Sequence, residues 1–462
     1  KGLNGRALNY PRGKVMGGCS SINGMIYMRG QANDYDQWRQ MGNEGWSWDD
    51  VLPYFTNMED NYGEKNKFHG KGGEWKVNKQ RLSWDILDSF QEATVESGIP
   101  KIDDFNEGNN FGVSYFKVNQ NSGFRWNTVK AFIKPIKNRK NLHIIKNCEV
   151  NNLILEQNKV IGVDVKRNGK FEKFFVNKEI ILSSGSIGSP KILELSGIGN
   201  PKVLSNLGIE TKVKSINVGE NLQDHLQLRV IYKLENALTL NQKANSLLGK
   251  MAIGLEYALK RTGPMSMAPS QLGVFAMSDE SYETPNLQFH VQPLSLDKFG
   301  DPLHDFPGLT ASVCNLNPQS RGSVHITSKD AKLAPAIDPK YLSEEQDRIV
   351  AAQSIRLARK IIAQPAMDKF NPQEQAPGIQ FQSDEELKKV AGDIGTTIFH
   401  PVGTCAMGPN VSSVTDSELK VRGVQGLRIA DASVMPTITS GNTNSPTLMI
   451  AEKASEMILN SY

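Results

Sequence analysis

The chain is short of the residues that mark a disulfide scaffold or a metal site. Its 462 residues include four cysteines, Cys19, Cys148, Cys314 and Cys405. They are too few and too scattered for a disulfide framework, and no Cys-x-x-Cys pair points to zinc. Seven histidines are spread along the chain with no two at metal-ligand spacing, so no metal is expected. No apolar run approaches the ~18 residues needed to span a bilayer. No basic, apolar and small-residue signal pattern opens the chain, whose first residue is lysine. The patterns G-x-x-x-x-G-K-S/T, G-x-S-x-G and H-E-x-x-H are missing, which removes three common hydrolytic chemistries. A net charge of +4 gives no case for nucleic acid. The clearest basic cluster, "KPIKNRKNLHIIK" (134–146), reads as a solvated helix end feeding a strand. "NVS" at Asn410 is a single glycosylation acceptor pattern and leaves the compartment open.

What is present is an ordinary globular composition, 39% hydrophobic and 22% charged. The length exceeds the ~250–300 residues at which one core usually divides, so two joined domains are expected. "SWDDVLPYFTNM" (47–58) predicts a helix with Ser47 and Asp50 as a capping box. "SWDILDSFQEATVESG" (83–98) predicts another, with Ser83 as N-cap and Gly98 at its end. "WNTVKAFIKPIKN" (126–138) predicts a third, kinked or ended by Pro135. Residues 142–185 then read as a β-meander of short runs, starting at "LHIIK" and ending in one buried strand. A short helix is expected after Ser189-Pro190. Further helices are expected near 243–261, 343–364 and 445–460, and "LRIADASVMP" (427–436) reads as a strand entering a tight turn.

Glycine-rich turns fall where strands meet helices: "MGGCSSING" (16–24), "SSGSIGSPKILELSGIG" (183–199), and "IADASVMP" with "SGNTNSPT" (440–447). Any one could be a plain turn. Three together point to an extended phosphate-bearing cofactor held by bare backbone and helix N-termini. One histidine differs in context: in "TIFHPVGTCAMG", His400 follows an apolar run and precedes Pro401, which pushes its backbone extended.

These stretches resemble a known family. "YPRGKVMGGCSSINGMIYMRG" (10–30) and "GSIGSPKILELSGIG" (185–199) are similar to the two signatures of the glucose–methanol–choline (GMC) flavin oxidoreductases. "FHPVGTCAMG" (399–408) and "LRIADASVMPTITSGNTNSPTLMIAEKASEMI" (427–458) resemble that family's active-site and closing segments, and "VGENLQDH" (218–225) and "PAIDPKYL" (335–342) are also family-like. "ANDYDQW" and "GNTNSP" look most like its insect glucose-dehydrogenase-like branch. The resemblance implies a mixed α/β fold, with an FAD-binding domain of the p-hydroxybenzoate-hydroxylase type woven into a sheet-plus-helices substrate domain. The segments implied are 1–60, 142–225 and 421–462 for FAD, and 61–141 and 226–420 for substrate.

The same resemblance implies FAD contacts at Gly17, Gly18, Ser20, Asn23 and Gly24. It implies an adenine contact at the Val150 backbone, and contacts near the pyrophosphate and ribityl chain at Asp431 and Ala432. His400 matches the family's catalytic histidine, and Asn444 is matched to the second member of the pair. The reaction implied is oxidation of an alcohol or sugar CH–OH group, with His400 as base and hydride passing to flavin. Oxygen or a quinone would be the electron acceptor. A histidine with an ordinary pKa near ~6.5 suits that role. Some relatives link FAD covalently through a histidine; Ile22 stands at that position, so FAD is expected to be non-covalent. The family's opening G-x-G-x-x-G turn does not precede residue 10, so the chain is expected to begin downstream of it, as a truncated form. A secreted location is expected by resemblance alone. The alternatives are a cofactor-free, non-catalytic polypeptide and a lyase keeping FAD as scaffold. Bound-flavin absorbance, and its bleaching by an alcohol, separate these readings.

Overall fold

The computed structural model describes residues 2–298 and 300–462 of the chain. The first helices are α1 (Ala32–Gln40), α2 (Trp48–Met58) and α3 (Asp85–Glu96). Ser47 and Asp50 form the expected capping box on α2. On α3 the N-cap is Trp84, in an extended conformation, and not Ser83; Asp85 and Asp88 meet the positive end of the helix instead. Strand β1 (Gly112–Tyr115) follows. The third expected helix is a π-turn over Val129–Ile133 running into a 3-10 turn over Lys134–Ile136. Pro135 has no N–H to continue an α-ladder there.

The meander consists of β2 (Cys148–Glu156), β3 (Lys159–Arg167) and β4 (Lys170–Phe175), an antiparallel three-stranded sheet. "LHIIK" is not its first strand: it is irregular, and Ile144 and Ile145 are exposed with no cross-strand partner to cover them. Next come β5 (Ile180–Leu182) and α4 (Gly185–Leu195). Helix α4 starts before Pro190 and contains it. The carbonyl of Ser186, which Pro190 cannot satisfy, accepts a hydrogen bond from Thr404 Oγ1 at 2.7 Å. That outside donor lets the helix run through its proline.

The second half supplies β6 (Leu226–Lys233), α5 (Leu247–Lys260), β7 (Leu272–Ala276), β8 (Leu287–Gln292) and β9 (Gly308–Asn315). Then follow α6 (Glu345–Ile362), β10 (Gln373–Ala376), α7 (Asp384–Ile394), β11 (Gly395–Thr397), β12 (Leu427–Ile429) and α8 (Asn444–Leu459). Strands β12 and β5 pair in parallel.

A seven-stranded antiparallel sheet, ordered β10-β6-β9-β8-β7-β1 with β11 on the start of β6, is the frame of the second half. Alternation along its strands gives the two faces different chemistry. Leu228 and Val230, Leu287, Phe289 and Val291, and Leu309, Ala311 and Val313 face one core, with Phe90, Ile355 and Leu387 from α3, α6 and α7. The residues between them are Gln227 and Arg229, Gln288, His290 and Gln292, and Thr310, Ser312 and Cys314. They are equally buried but almost all polar. A second core joins Trp38, Phe55, Leu193 and Met449 from α1, α2, α4 and α8 with Trp46 from the α1–α2 loop. Trp75, Val77, Val402 and Val414 also pack into this second core. A mixed α/β architecture is thus built around one sheet whose buried rear face is polar.

Candidate active site

Strand pairing brings two distant histidines together. β11 runs antiparallel to the start of β6, with Thr397 opposite Leu226. His225 stands just before β6 and His400 three residues after β11. The Ile398 N–H donates to the His225 carbonyl at 3.1 Å and locks the register. Phe399 between them has φ +68, a costly left-handed conformation for a bulky residue. Strain held at such a point is characteristic of functional segments. Thr397 Oγ1 accepts from the Phe399 N–H at 2.8 Å and supports it.

A buried carboxylate fixes the His400 backbone. Asp224 Oδ1 accepts from the His400 N–H at 2.7 Å, and Oδ2 from Thr397 Oγ1 at 2.6 Å and from the hydroxyls of Tyr10 and Tyr341. Burial raises the Asp224 pKa, and the four donors offset only part of that rise.

The imidazoles form a chain whose proton positions follow from its far end. His225 Nε2 lies 3.0 Å from the Leu316 carbonyl, which only accepts, so Nε2 carries the proton. His225 Nδ1 is then an acceptor, and His400 Nδ1, 3.1 Å away, must be the donor. His400 Nε2 is left unprotonated, its lone pair accepting from Asn442 Nδ2 at 3.1 Å. Asn442 Oδ1 in turn accepts from Gln288 Nε2 at 3.3 Å. Burial lowers the pKa of His225 from 6.5 to about 4. It also drives that of His400 well below its usual value, helped by His225, His290 and Arg12. Both rings are neutral at physiological pH, and a basic nitrogen meets the polar face of the sheet. On that face Gln288 Oε1, His290 Nε2 and Ser312 Oγ are buried without a hydrogen-bond partner. Buried polar atoms are rarely left so, and here they form a surface ready for a polar ligand.

Sequence profiles of the GMC oxidoreductases match residues 2–227 and 318–451. The chain belongs to the GMC oxidoreductase family.

Among its relatives is an oxygen-dependent choline dehydrogenase of Photobacterium profundum, 38% identical over 463 residues, or 99% of this chain and 81% of that protein. An alcohol dehydrogenase (acceptor) of Pseudomonas putida is 37% identical over 461 residues, 99% of this chain and 83% of that one. The crystal structure of pyridoxine 4-oxidase from Mesorbium loti superposes with a TM-score of 0.90 at 27% identity, covering 100% of this chain and 87% of that one. GMC oxidoreductases are FAD flavoproteins, and the turns of this chain fit such a cofactor. Gly18 and Gly185 have φ of +52 and +74, and a Cβ at either would meet nothing within 4 Å. Their bare backbone opens onto free space. In the segment leading into α8, Thr439 Oγ1 is buried without a partner, as are Asn444 Nδ2 and Ser445 Oγ in its first turn.

The other expected GMC positions fall as follows. Gly17 begins the turn at φ +88. Ser20 Oγ donates to the Gly17 carbonyl at 2.6 Å and pairs with Thr128 Oγ1 at 3.1 Å, so it braces the turn from behind. Asn23 Oδ1 accepts from Arg125 at 2.7 Å and from the Met25 N–H at 3.0 Å. Gly24 faces Pro269. Val150 lies beside a β-bulge on β2, whose outer edge pairs with no strand among the described residues. Asp431 Oδ2 accepts from the Gly185 N–H at 2.9 Å and Ser189 Oγ at 2.6 Å, which ties the α4 N-terminus to Ala432 and its turn.

One assignment needs correction. The hydrogen bond to His400 Nε2 comes from Asn442 and not from Asn444, which is the first residue of α8 with its Nδ2 buried and unpartnered. The motif G-N-x-N offers two asparagines, and only the turn before α8 decides between them. His225, Gln288 and His290 were not singled out from the sequence. For Gln288 and His290 a partial signal exists, because "LQFHVQ" (287–292) alternates apolar and polar residues, but it does not say which face meets a ligand; His225 has none.

Proposed function

We propose that this GMC oxidoreductase binds FAD non-covalently and oxidises a CH–OH group of a small alcohol or sugar, with His400 as base. The observation that carries the reading is the hydrogen-bond chain that leaves His400 Nε2 unprotonated toward the polar sheet face. In this reading Gly17, Gly18, Asn23 and Gly24 face the isoalloxazine side. Val150 offers its backbone to the adenine, and Asp431 and Ala432 with the α4 N-terminus sit toward the pyrophosphate and ribityl chain. Bound FAD supplies the acceptor for the hydride that leaves the alcohol carbon. The electron acceptor in this reading would be oxygen or a quinone.

The protein's own part is proton handling and charge. His400 Nε2 takes the hydroxyl proton; its Nδ1–H stays on His225, so the ring keeps its orientation through the step. Asn442 Nδ2 lies beside Nε2 and donates to the alkoxide oxygen as negative charge grows, a bond stronger in the transition state than before it. Gln288 holds Asn442 in place. A neutral base already in the right tautomer needs no deprotonation before it acts. Burial, however, holds the His400 pKa well below the ordinary value expected from the sequence and makes it a weaker proton acceptor, so hydrogen bonds to the alkoxide must make up the difference.

Ile22, half exposed beside the turn, supplies no nucleophile for a flavin link. The narrower placement in the insect glucose-dehydrogenase-like branch rests on the wording of two motifs. Anaerobic mixing of the FAD-loaded protein with choline, aliphatic and aromatic alcohols, and sugars tests the whole reading. Bleaching of the flavin by at least one class supports it. Flavin that binds but is bleached by none favours the lyase alternative, and no flavin binding at all favours the cofactor-free one.

A further inference from the structure

Helix α5 is built inside out. Leu247, Leu248, Met251, Leu255 and Leu259 lie along one stripe at helical spacing and are each between 61 and 79% exposed. No residue of the helix is buried. It is held from behind: Tyr257 Oη donates to the Gly123 carbonyl at 3.2 Å, and the Phe124 ring packs edge-on against Tyr257. An ordinary surface helix turns its apolar stripe inward; a stripe this continuous facing water marks a contact surface.

We infer that α5 is the docking face of this protein for an anionic membrane surface. The other sides of the helix carry cations, and Arg261 lies over the Phe124 and Tyr257 rings behind it. Lys250 and Lys260 are exposed, Arg261 closes the helix, and Arg81 donates to the carbonyls of Arg261 at 2.9 Å and Lys260 at 3.3 Å. The one acidic residue of the helix, Glu256, is turned away from the stripe to accept from Thr262 Oγ1 at 3.0 Å. An apolar face with lysines on the polar side of the same helix is the pattern of a helix lying in the lipid interface.

Size argues against a second copy as occupant. Fourteen residues make a face about 21 Å long and ~10 Å wide, on the order of 200 Å². A stable protein interface takes about 800 Å² from each partner. A bilayer sets no such minimum. The helix is also too short to cross one, and no helix among the described residues is long and apolar enough to do so. The hairpin that holds α5 also holds the 16–24 turn, through Arg125 and Asn23.

Co-sedimentation of the FAD-loaded full chain with vesicles tests the inference. One set is phosphatidylcholine alone and the other contains about one-third phosphatidylglycerol. The chain is expected to pellet with the anionic set, and to be released by salt well above the range where the Debye length is ~8 Å. Leu248→Glu with Leu255→Glu should cut partitioning more than tenfold while melting temperature and flavin content stay unchanged. Lys250→Gln and Lys260→Gln should each cost about fivefold. A chain that stays in the supernatant, or a double-leucine variant that binds as well as the wild type, overturns the inference. Equal binding to neutral vesicles overturns its anionic part. A concentration-dependent dimer abolished by the same leucine changes would give the face to a second copy and also overturn it.

Discussion

Replacing His225 tests the proton chain without touching any group proposed to meet substrate. In His225→Leu the acceptor at Nδ1 is gone, and the buried His400 Nδ1–H is left without a partner. An unpartnered buried donor costs about 1–3 kcal/mol. That penalty falls on the tautomer that keeps Nε2 basic, so the ring gains reason to flip or to carry its proton on Nε2. Converted directly, flavin reduction should slow by about 5- to 150-fold. His225→Asn keeps a carbonyl oxygen close to where Nδ1 stood, able to accept from His400, and should recover most of the rate. The assay is anaerobic stopped-flow reduction of bound flavin by whichever alcohol bleaches the wild type, with flavin content and melting temperature as controls. A leucine variant within about threefold of wild type would refute the reasoning. So would an asparagine variant as slow as the leucine one, because packing alone would then explain the loss.

The two asparagines give a second test. Asn442→Ala should slow flavin reduction by about tenfold or more, through loss of a hydrogen bond to developing charge, while Asn444→Ala stays closer to wild type; the reverse order in stopped-flow would return the role to Asn444. Stability supplies a third. His225 titrates at about 4 in the fold and at 6.5 without it. The unfolded chain therefore binds more protons between those values, and stability is full above 6.5 and lost as pH falls toward 4. Asp34, raised to about 6 by burial, works in the opposite direction, so the useful quantity is the gap between wild type and His225→Asn. Urea unfolding at about pH 7 and about pH 5 should show that gap moving against the wild type by roughly 2 kcal/mol; an unchanged gap would contradict the depressed pKa. Finally, with Ile22 at the position of the histidyl link, acid precipitation should leave the flavin in the supernatant, and fluorescence retained in the pellet would show a covalent bond.

The sequence made some parts of this molecule legible because local chemistry decides them. The Ser47–Asp50 box, the glycines of the 16–24 turn and the amphipathic α6 are each settled within a few residues. Other parts depend on partners far along the chain. Helix α4 keeps its proline because Thr404, more than 200 residues away, satisfies the Ser186 carbonyl. Ser83 loses the N-cap of α3 to its neighbour by one residue, a shift that propensity does not resolve. His400 stood out from its own surroundings, but its partner did not. His225 is brought to it by the β6–β11 ladder, and Asn442 by the path of the 440–443 turn. The polar face behind β6, β8 and β9 was hidden for a related reason. Alternation in a strand shows that two faces differ, but which face meets a ligand depends on what packs behind the sheet.

His400 carries the central claim, and His400→Ala tests it most directly. The FAD-loaded variant and wild type are mixed anaerobically with an alcohol that bleaches the wild type. The account predicts that the variant keeps its bound flavin while reduction slows by about 10²–10⁴-fold. A variant that bleaches within about threefold of the wild-type rate would remove His400 as the base and contradict the account.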